Sequence, residues 1–321
     1  MATVGKFGQM FLAIGIFVAV VAVVLFIVGR FSGRGADRAV AIAFIGPALI
    51  MVAVGLIYPG VRTIFQSFRN ADGSAWIGFD NYKTIFTTSD DITVLRNTAV
   101  WVLIAPFVAT AIGLIYATLV DKAKGEALSK AFIFLPLAIS FVGASIIWKF
   151  VYDSSKGDSK TQVGLLNQIM VWLGLNPQQW LLNSPLNTLL LIVVMIWIQA
   201  GFAMTILSAA IKAIPDEIIE AAQLDGVGGI KLFRTITVPS IRPALVVVLT
   251  TIAIATLKAF DIVRTMTGGN FNTSVVSLEF YTQSFRASNQ GLGAALAALL
   301  FLLVIPIVVY NVRHLRESES R

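Results

Sequence analysis

The sequence contains no cysteine and a single histidine, His314, among 321 residues. The absence of cysteine excludes disulfides, thiolate metal ligands and cysteine nucleophiles together. The one histidine lies near charged residues at the C-terminus, where it is typical of a solvated residue next to a membrane. We therefore predict no metal site and assign no catalytic residue.

Charged residues are also scarce. They make up 13% of the chain, against 57% hydrophobic residues, and the mean hydropathy of +0.84 lies outside the usage of soluble proteins. The net charge of +7 comes from basic residues scattered at the ends of apolar runs, not clustered with aromatic residues. This pattern indicates a lipid bilayer as partner and argues against nucleic acid.

Motifs for enzymatic chemistry are missing as well. The sequence has no G-x-x-x-x-G-K-[ST] nucleotide loop, no H-E-x-x-H and no serine elbow. We predict that the chain is not an enzyme and carries no cofactor of its own. If ATP drives its activity, the ATP and Mg²⁺ are expected on a separate ATPase chain.

The apolar residues fall into long segments. A membrane-spanning helix needs about 20 mostly apolar residues. Seven segments meet this length, at roughly 10–29, 40–58, 97–119, 131–151, 186–208, 243–263 and 292–312. The predicted fold class is therefore an all-α polytopic bundle of about seven transmembrane helices.

Basic residues in the short connections give an orientation. Arg30, Arg34 and Arg38 occupy one short connection, and Lys122, Lys124 and Lys130 occupy another. Because lysine and arginine in short loops favour the cytoplasmic side, these connections and the C-terminus are expected in the cytoplasm. Seven spans then place the N-terminus outside.

The segment from Ile214 to Pro239 is a polar stretch between two apolar runs. Pro215 and the two carboxylates after it favour the start of a short helix. Gly226 is typical of a left-handed C-cap. A second short helix is expected after Gly229, ending before Pro239 because proline disfavours the helical conformation of the residue before it.

This segment resembles the cytoplasmic coupling loop of ABC importer permeases. The spacing that carries the resemblance is E-A-A, three residues, Gly, nine residues, Ile, one residue and then Leu-Pro. In this sequence Val238 stands where the family prefers Leu. Asp225 and Phe233 match the form common in sugar permeases. The simpler alternative is an amphipathic loop helix with a glycine cap. The residues that the resemblance implies in ATPase coupling are Glu220, Ala221, Ala222, Asp225, Gly226, Ile236 and Pro239.

Two further stretches resemble sugar permeases of the maltose type. Gly78, Asn81 and Tyr82 match a G-x-x-N-Y stretch before the first core helix. The third loop matches a T-G-G turn followed by a Tyr-x-x-x-Phe pair, although Asn270 and Phe271 replace the Gly-Pro of the family. Taken alone, the aromatic residues of these loops are also typical of anchors at a membrane surface.

The resemblance implies a six-helix type I ABC importer core with one additional N-terminal helix, in the inner membrane of a bacterium or archaeon. The implied organisation is an anchor helix and loop at 1–38, the transmembrane domain at 39–315 with its coupling loop at 209–242, and a tail at 316–321. It also implies three kinds of partner. These are a second, related permease that forms a heterodimer with this chain, two ATPase subunits, and an external sugar-binding protein.

Polar and aromatic residues inside the predicted spans are candidates for the substrate pathway, because buried polar groups in a membrane are costly. The candidates are Gln199, Trp197, Phe202, Lys258 and Asp261. An interhelical hydrogen bond is the alternative for Gln199. A local ion pair is the alternative for Lys258 and Asp261, which lie three residues apart.

The predicted function is import of a sugar by the transmembrane permease subunit of an ABC importer, with a di- or oligosaccharide such as an α-glucoside, maltose or trehalose as the expected substrate. Three alternatives stay open from the sequence. These are an ATP-independent secondary transporter, a membrane scaffold that transports nothing, and an ABC permease for a solute other than sugar.

Overall fold

The computed structural model describes residues 36–121, 125–154 and 163–319, with parts of 8–26. The chain divides into two compact units, residues 1–65 and 66–321. Throughout the described residues the regular structure is helical, and the only pairing of β type is an isolated bridge between Arg69 and Trp76. The all-α prediction is confirmed. The predicted first span, 10–29, is described only in part, and its described residues are helical.

The first unit contains helix α1, Ala36–Val52, followed by a π-helical turn at Ala53–Ile57 and by α2, Tyr58–Gln66. Together they give an apolar helix from Phe44 to Gln66 that is long enough to cross a bilayer. Its length exceeds the predicted span of 40–58. Its large apolar side chains are exposed, as expected of a helix that faces lipid.

The other helices bounded within residues 66–319 belong to the second unit. They are α3 (Asp80–Thr87), α4 (Ser89–Val120), α5 (Glu126–Phe134), α6 (Phe141–Val151), α7 (Leu165–Trp172), α8 (Leu186–Lys212), α9 (Asp216–Leu224), α10 (Gly229–Leu232), α11 (Val238–Ser240), α12 (Arg242–Leu257), α13 (Phe260–Met266), α14 (Val276–Tyr281) and α15 (Gln290–Glu319).

The predicted span at 131–151 is not one helix. A 3-10 turn at Leu135–Ala138 follows α5, and the chain then bends by 101° into α6. Pro136 lacks the N–H that a continuing helix needs, and Ser140 starts α6 by accepting a hydrogen bond from Gly143 N at 3.1 Å. The described residues thus contain four apolar helices of spanning length, or six spans when two bent pairs are counted.

The predicted span at 243–263 is also interrupted. Helix α12 ends at Leu257, and α13 starts only at Phe260. At the other end, a bend of 71° separates α12 from the helical segment Gly229–Ser240. Two of the predicted spans therefore contain breaks that apolar length alone does not reveal.

Close backbone contacts hold α4, α5 and α8 together. A side chain at Gly113 of α4 would lie 2.5 Å from Ala203 Cβ on α8. A side chain at Gly201 would lie 2.5 Å from the carbonyl oxygen of Ile133. Small residues allow such approach between membrane helices. The largest fully buried side chains around these contacts are Trp101, Leu191, Ile192, Met195, Ile198, Met204 and Leu207.

The connections after α2, α6 and α13 lie at one end of the second unit, which we call the loop end. Asn97 at the start of α4 and Asn187 at the start of α8 both bind carbonyl groups of the connection after α13. Gln290 N, at the start of α15, donates to Ala71 O in the connection after α2 at 2.8 Å. The opposite end carries residues 214–240 and is called the motif end.

Asn167, on α7, organises the connection between α6 and α8. It is fully buried, and its Nδ2 donates to the carbonyl oxygens of Asp153 and Gln178, each at 2.9 Å. Its Oδ1 accepts from Gln178 N and from Trp180 Nε1, also at 2.9 Å. One amide side chain therefore forms four hydrogen bonds within this connection.

We expect Asn167→Ala to lower the thermal stability of the purified chain. Leaving a fully buried polar group without a partner costs about 1–3 kcal/mol, and this change removes four hydrogen bonds that are each part-buried. Asn176→Ala is the matched control, because Asn176 is exposed in the same connection. The two variants should differ clearly in melting temperature in detergent. Equal melting temperatures would show that the Asn167 bonds do not stabilise the fold.

Candidate functional site

We call the segment from Ile214 to Pro239 the motif segment. Helix α9 forms its first half. Pro215 stands immediately before it, at the N-cap, and Asp216 and Glu217 occupy its first turn. Carboxylates there interact favourably with the unpaired backbone N–H groups of the helix start. The predicted start of this helix is confirmed to within one residue.

Gly226 ends α9 in the way that the sequence predicts. Its φ of +75° is in the left-handed region. Gly226 N donates to Gln223 O at 3.0 Å, and Val227 N donates to Ala222 O at 2.9 Å. These two bonds form a Schellman motif, which satisfies the last carbonyls of the helix and sets the direction of the chain that follows.

The two faces of α9 differ. Ala222 is buried and Ile219 packs partly buried against the core, whereas Glu220, Ala221 and Asp225 are exposed. Leu224 is 89% exposed. Successive residues on a helix point about 100° apart. The side chains of Ala221 and Ala222 therefore lie on different faces of α9, one exposed and one buried. Ala222 fits against the protein, and Ala221 and Leu224 remain available to a partner.

The second half of the segment corrects one prediction. Helix α10 continues through a π-helical turn at Phe233–Thr237 into α11, which includes Pro239. The helix was expected to end before this proline. In the π turn Val238 N bonds to Phe233 O, so the local hydrogen-bond pattern already departs from the α-helix where proline removes a donor. Ile236 is half-buried and Pro239 is exposed.

A group of charged side chains lies where α4, α5 and α8 meet at the motif end. We call Asp121, Glu126, Lys130, Ser208 and Lys212 the charge cluster. Lys130 Nζ lies 2.6 Å from Asp121 Oδ1 and 2.8 Å from Glu126 Oε1, and it also contacts Ser208. Ser208 Oγ donates to Asp121 Oδ1 at 2.6 Å. Lys212 pairs with Glu126 and lies 3.8 Å from Asp121.

The charge cluster is next to the motif segment in the chain, because Lys212 ends α8 four residues before α9 begins. The Asp121 side chain is only 8% exposed, and the positive charges of Lys130 and Lys212 lie next to its carboxylate. Such pairing offsets the cost of burying a charged group. In the sequence, Lys130 indicates only the orientation of its connection. Apart from the i,i+4 spacing of Glu126 and Lys130, no local signal indicates that these residues meet.

Gln199 lies in the middle of α8 and is 7% exposed. Among the described residues none forms a hydrogen bond with its side chain, so the expected alternative of an interhelical hydrogen bond is not observed. Phe202, one turn further along, is half-buried. Gln199 therefore keeps unused donor and acceptor capacity inside the bundle.

Trp197 belongs to an aromatic group between α6 and α8. Its ring meets Trp148 edge to face at 5.7 Å, and Trp148 lies 5.3 Å from Tyr152. The Tyr152 hydroxyl donates to Leu190 O at 3.2 Å. Trp148 thus packs between the two helices. The half-buried Trp197 has only part of its ring available for other contacts.

Lys258 and Asp261 stand on either side of the break between α12 and α13. They form no ion pair; the ion pairs found in the described part of the chain all belong to the charge cluster. The break removes the helical alignment that an i,i+3 pair requires. Both residues line a small cavity with Phe141 and Met195. The predicted local ion pair is therefore wrong.

At the loop end, side chains of two spans hold the connection that follows α13. Asn97 Nδ2 donates to Asn272 O at 2.6 Å and to Ser274 O at 3.0 Å, and Asn187 Nδ2 donates to Phe271 O at 2.8 Å. Phe271 and Asn272 both have positive φ. Phe271 stands where the family pattern has proline, and Asn272 is the residue that follows. Sequence analysis did not identify the two asparagines that hold this turn.

The G-x-x-N-Y stretch has a structural explanation. Gly78 adopts a φ of +62°, which favours glycine. Asn81 is buried and donates to Ser67 O and Arg69 O, each at 2.8 Å, and the Tyr82 hydroxyl lies 2.8 Å from Ser67 Oγ. These residues fold the connection after α2 against α3. Trp76 and Phe79 are left exposed there, at 62% and 72%.

The described residues contain no group of three or more histidine, cysteine, aspartate or glutamate side chains that could hold a metal ion. The sites described above consist of oppositely charged pairs, amide groups and aromatic rings. Such groups can bind a partner or a hydroxylated solute without covalent chemistry.

Comparison with known proteins gives two close relatives by sequence. The osmoprotective compounds uptake permease protein GgtC of Synechocystis sp. is 42% identical over 86% of this chain and 99% of its own length. The alpha-glucoside transport system permease protein AglF of Rhizobium meliloti is also 42% identical, over 86% of this chain and 82% of its own length.

Among solved structures, the fold matches a chain of a bacterial alginate ABC transporter in complex with an alginate pentasaccharide-bound periplasmic protein. The TM-score is 0.72, with 21% identity over 84% of this chain and 91% of the other. This likeness concerns the fold alone.

The sequence pattern of one family matches residues 93–317, which include α4, the charge cluster, the motif segment and most of α15. The resemblance to ABC importer permeases, inferred from the spacing around Gly226, is confirmed by this match and by the two relatives. The chain belongs to the family of binding-protein-dependent transport system inner membrane components.

Proposed function

We propose that this chain is the sugar-translocating permease subunit of an ATP-driven ABC importer, with an α-glucoside or another di- or oligosaccharide as its substrate. The observation that carries the choice of solute is the 42% identity to an alpha-glucoside permease over 86% of this chain. Maltose and trehalose are of the same chemical class, so they are the first substrates to examine.

ATP hydrolysis takes place on two separate ATPase subunits, which hold ATP and Mg²⁺ and bind the motif segment. In this proposal Glu220 is a polar contact, and Ala221 offers a thin surface beside the exposed Leu224. Large exposed apolar side chains outside a membrane span often mark a protein interface. Ala222 fixes α9 to the permease. Asp225 and Gly226 set the bend, and Ile236 and Pro239 complete the second helical segment.

Two more partners follow from the same proposal. A second, related permease completes the pore, and an external binding protein delivers the sugar at the loop end. The periplasmic protein seated on the alginate transporter supports this arrangement. The loop end then faces outward and the motif end faces the cytoplasm of a bacterium or archaeon. The C-terminus lies in the cytoplasm and the N-terminus outside.

The substrate pathway uses residues of α8 and of the break after α12. Gln199 offers an unpaired amide to sugar hydroxyls, and the free parts of Trp197 and Phe202 offer rings to sugar C–H groups. Among the described residues, none forms an ion pair with Lys258 or Asp261. Breaks in membrane helices expose backbone groups that can bind a solute. In this proposal the sugar binds in the interior of the helix bundle.

In mechanism, closure of the ATPase pair on ATP pulls the two motif segments of the assembled importer together. The tight contacts among α4, α5 and α8 transmit this movement to the pathway as a shift between two states, one open to each side. The residues of this chain bind and orient the sugar and transmit the movement of the ATPase pair. They form no covalent bond with the sugar.

The relative from Synechocystis favours a second solute class. Its name refers to osmoprotective compounds, and it is as similar to this chain as the alpha-glucoside permease. A small osmoprotectant is therefore the alternative substrate. An uncharged, hydroxyl-rich solute of either class suits amide and aromatic groups.

The test is purification of the chain from its native membrane in mild detergent, followed by mass spectrometry. We expect an ATPase, a second permease and a solute-binding protein to be recovered with it. The binding protein is then titrated with maltose, trehalose, a panel of α-glucosides and small osmoprotectants. A binding protein selective for amino acids or inorganic ions would overturn the choice of solute. Recovery of the chain alone, where a known importer stays assembled, would overturn the choice of partners.

A further inference from the structure

The connection between α6 and α8 carries no charged residue after Lys160. No aspartate, glutamate, lysine or arginine occurs from Thr161 to Ile211. This run includes the whole of α7, which is not part of a predicted span. A short helix in water normally carries charged residues on its exposed side. The composition of α7 is that of a helix in contact with something apolar.

The exposed side of α7 is apolar as well as uncharged. Leu165 is 56% exposed, Ile169 38% and Trp172 72%. These residues are four and three positions apart, which places them on one face of a helix. Leu173 and Leu175 extend the face beyond the helix end, at 69% and 51%. We call these five residues the α7 apolar face.

The opposite side of α7 attaches it to the ends of two apolar helices. Asn167 bonds to Asp153 O, two residues beyond the end of α6. Gly164, just before α7, is so close to Asp153 that a side chain would lie 2.1 Å from its carbonyl oxygen. Trp180 bonds to Asn167 and packs against the core cluster, only a few residues before α8 begins. Helix α7 thus lies at the level where both apolar helices end.

We propose that the α7 apolar face binds the surface of the lipid bilayer at the loop end, with Trp172 in the headgroup region. The height of α7 beside the ends of two membrane helices brings this face to the boundary between hydrocarbon and water. Tryptophan is enriched at that boundary, and the buried face of an interfacial helix carries leucine, isoleucine and tryptophan. A lipid surface requires no matching charge, in agreement with the uncharged sequence. This role adds a second membrane contact to the permease and does not depend on which solute is transported.

The absence of native cysteine makes the test direct. Single cysteines are introduced by Ile169→Cys, Trp172→Cys and Leu173→Cys, with Gln179→Cys as the control at an exposed polar position of the same connection. Each full-length variant is labelled with a nitroxide and reconstituted into phosphatidylcholine vesicles. Collision rates are then measured with oxygen, which concentrates in lipid, and with a water-soluble nickel chelate.

The ratio of oxygen to nickel collisions is expected to be several-fold higher at the three positions of the α7 apolar face than at Gln179. A nickel collision rate as high as that of the control would overturn the proposal, because the face would then lie in water. Low collision rates with both reagents at all three positions would also overturn it, because the face would then be covered by protein. Using three positions ensures that one poorly folded variant does not decide the result.

Discussion

Replacement of Gly226 by valine is expected to abolish transport while the chain remains inserted in the membrane. Gly226 has a φ of +75° and ends α9 with two Schellman hydrogen bonds. A β-branched residue in this conformation costs about 1–3 kcal/mol. An energy in that range corresponds to roughly a 5- to 150-fold loss in the population of the native turn. Because the turn sets the angle between α9 and α10, the ATPase would meet a segment with the wrong shape.

Gly226→Asn is the matched control. Asparagine tolerates the left-handed conformation better than other residues with a side chain, and no atom lies within 4 Å of the position where a Cβ would be added. We therefore expect the asparagine variant to keep most of its transport and the valine variant to lose it. ATP-dependent uptake into vesicles, measured at equal amounts of assembled importer, makes the comparison. Normal uptake by the valine variant would refute the coupling role of this turn.

Asp121→Asn is expected to lower both the stability of the chain and the coupling of ATP hydrolysis to transport. Removing one partner of a buried ion pair costs about 3–5 kcal/mol. We expect a loss of stability near the lower end of this range, because the side chain of Lys130 is 23% exposed and Glu126 remains as its partner. Loss of the Asp121 carboxylate would loosen the joint between α4, α5 and α8. ATPase activity should then continue with less solute moved for each ATP.

The double variant Asp121→Leu with Lys130→Met tests whether charge or packing matters at this joint. An apolar pair of similar size can replace a buried ion pair without loss of stability. We expect the double variant to be more stable than either single change, as measured by thermal melting in detergent. If the effects of the two single changes simply add, the two side chains do not act as a pair.

Features set by neighbouring residues were predictable from the sequence. The left-handed end of α9 follows from Gly226 and the acidic first turn follows from Asp216 and Glu217, because both depend on local backbone requirements. The apolar lengths of α4, α8 and α15 follow from the hydrophobic effect in a bilayer. The spacing from Glu220 to Pro239 identified the family because it fixes two short helices and the turn between them.

Features that depend on distant contacts were not predictable. Pro106 lies inside the continuous α4, whereas Pro136 lies in a sharp break, and both appear in the sequence as a proline within an apolar run. The difference depends on the capping of α6 by Ser140 and on packing around α5. The break after Leu257 likewise separates Lys258 from Asp261, although their spacing favours a pair in an unbroken helix.

The candidate site shows the same division. Asp121 and Ser208 are 87 residues apart and meet only because α4 packs along α8. Asn97 and Asn187 reach the turn around Phe271 from two other helices. No short-range pattern links such residues. Gln199 was identified from its polarity within an apolar run, and the structure adds that its side chain has no hydrogen-bond partner among the described residues.

The most direct test of the account is solute uptake by the purified importer in vesicles, with its ATPase subunits, second permease and binding protein present. We predict accumulation of an α-glucoside or related sugar that requires both ATP and the binding protein and does not change when ion gradients are abolished. Uptake that continues without ATP and disappears with an ion gradient would contradict the account, because it would identify the chain as an ATP-independent secondary transporter.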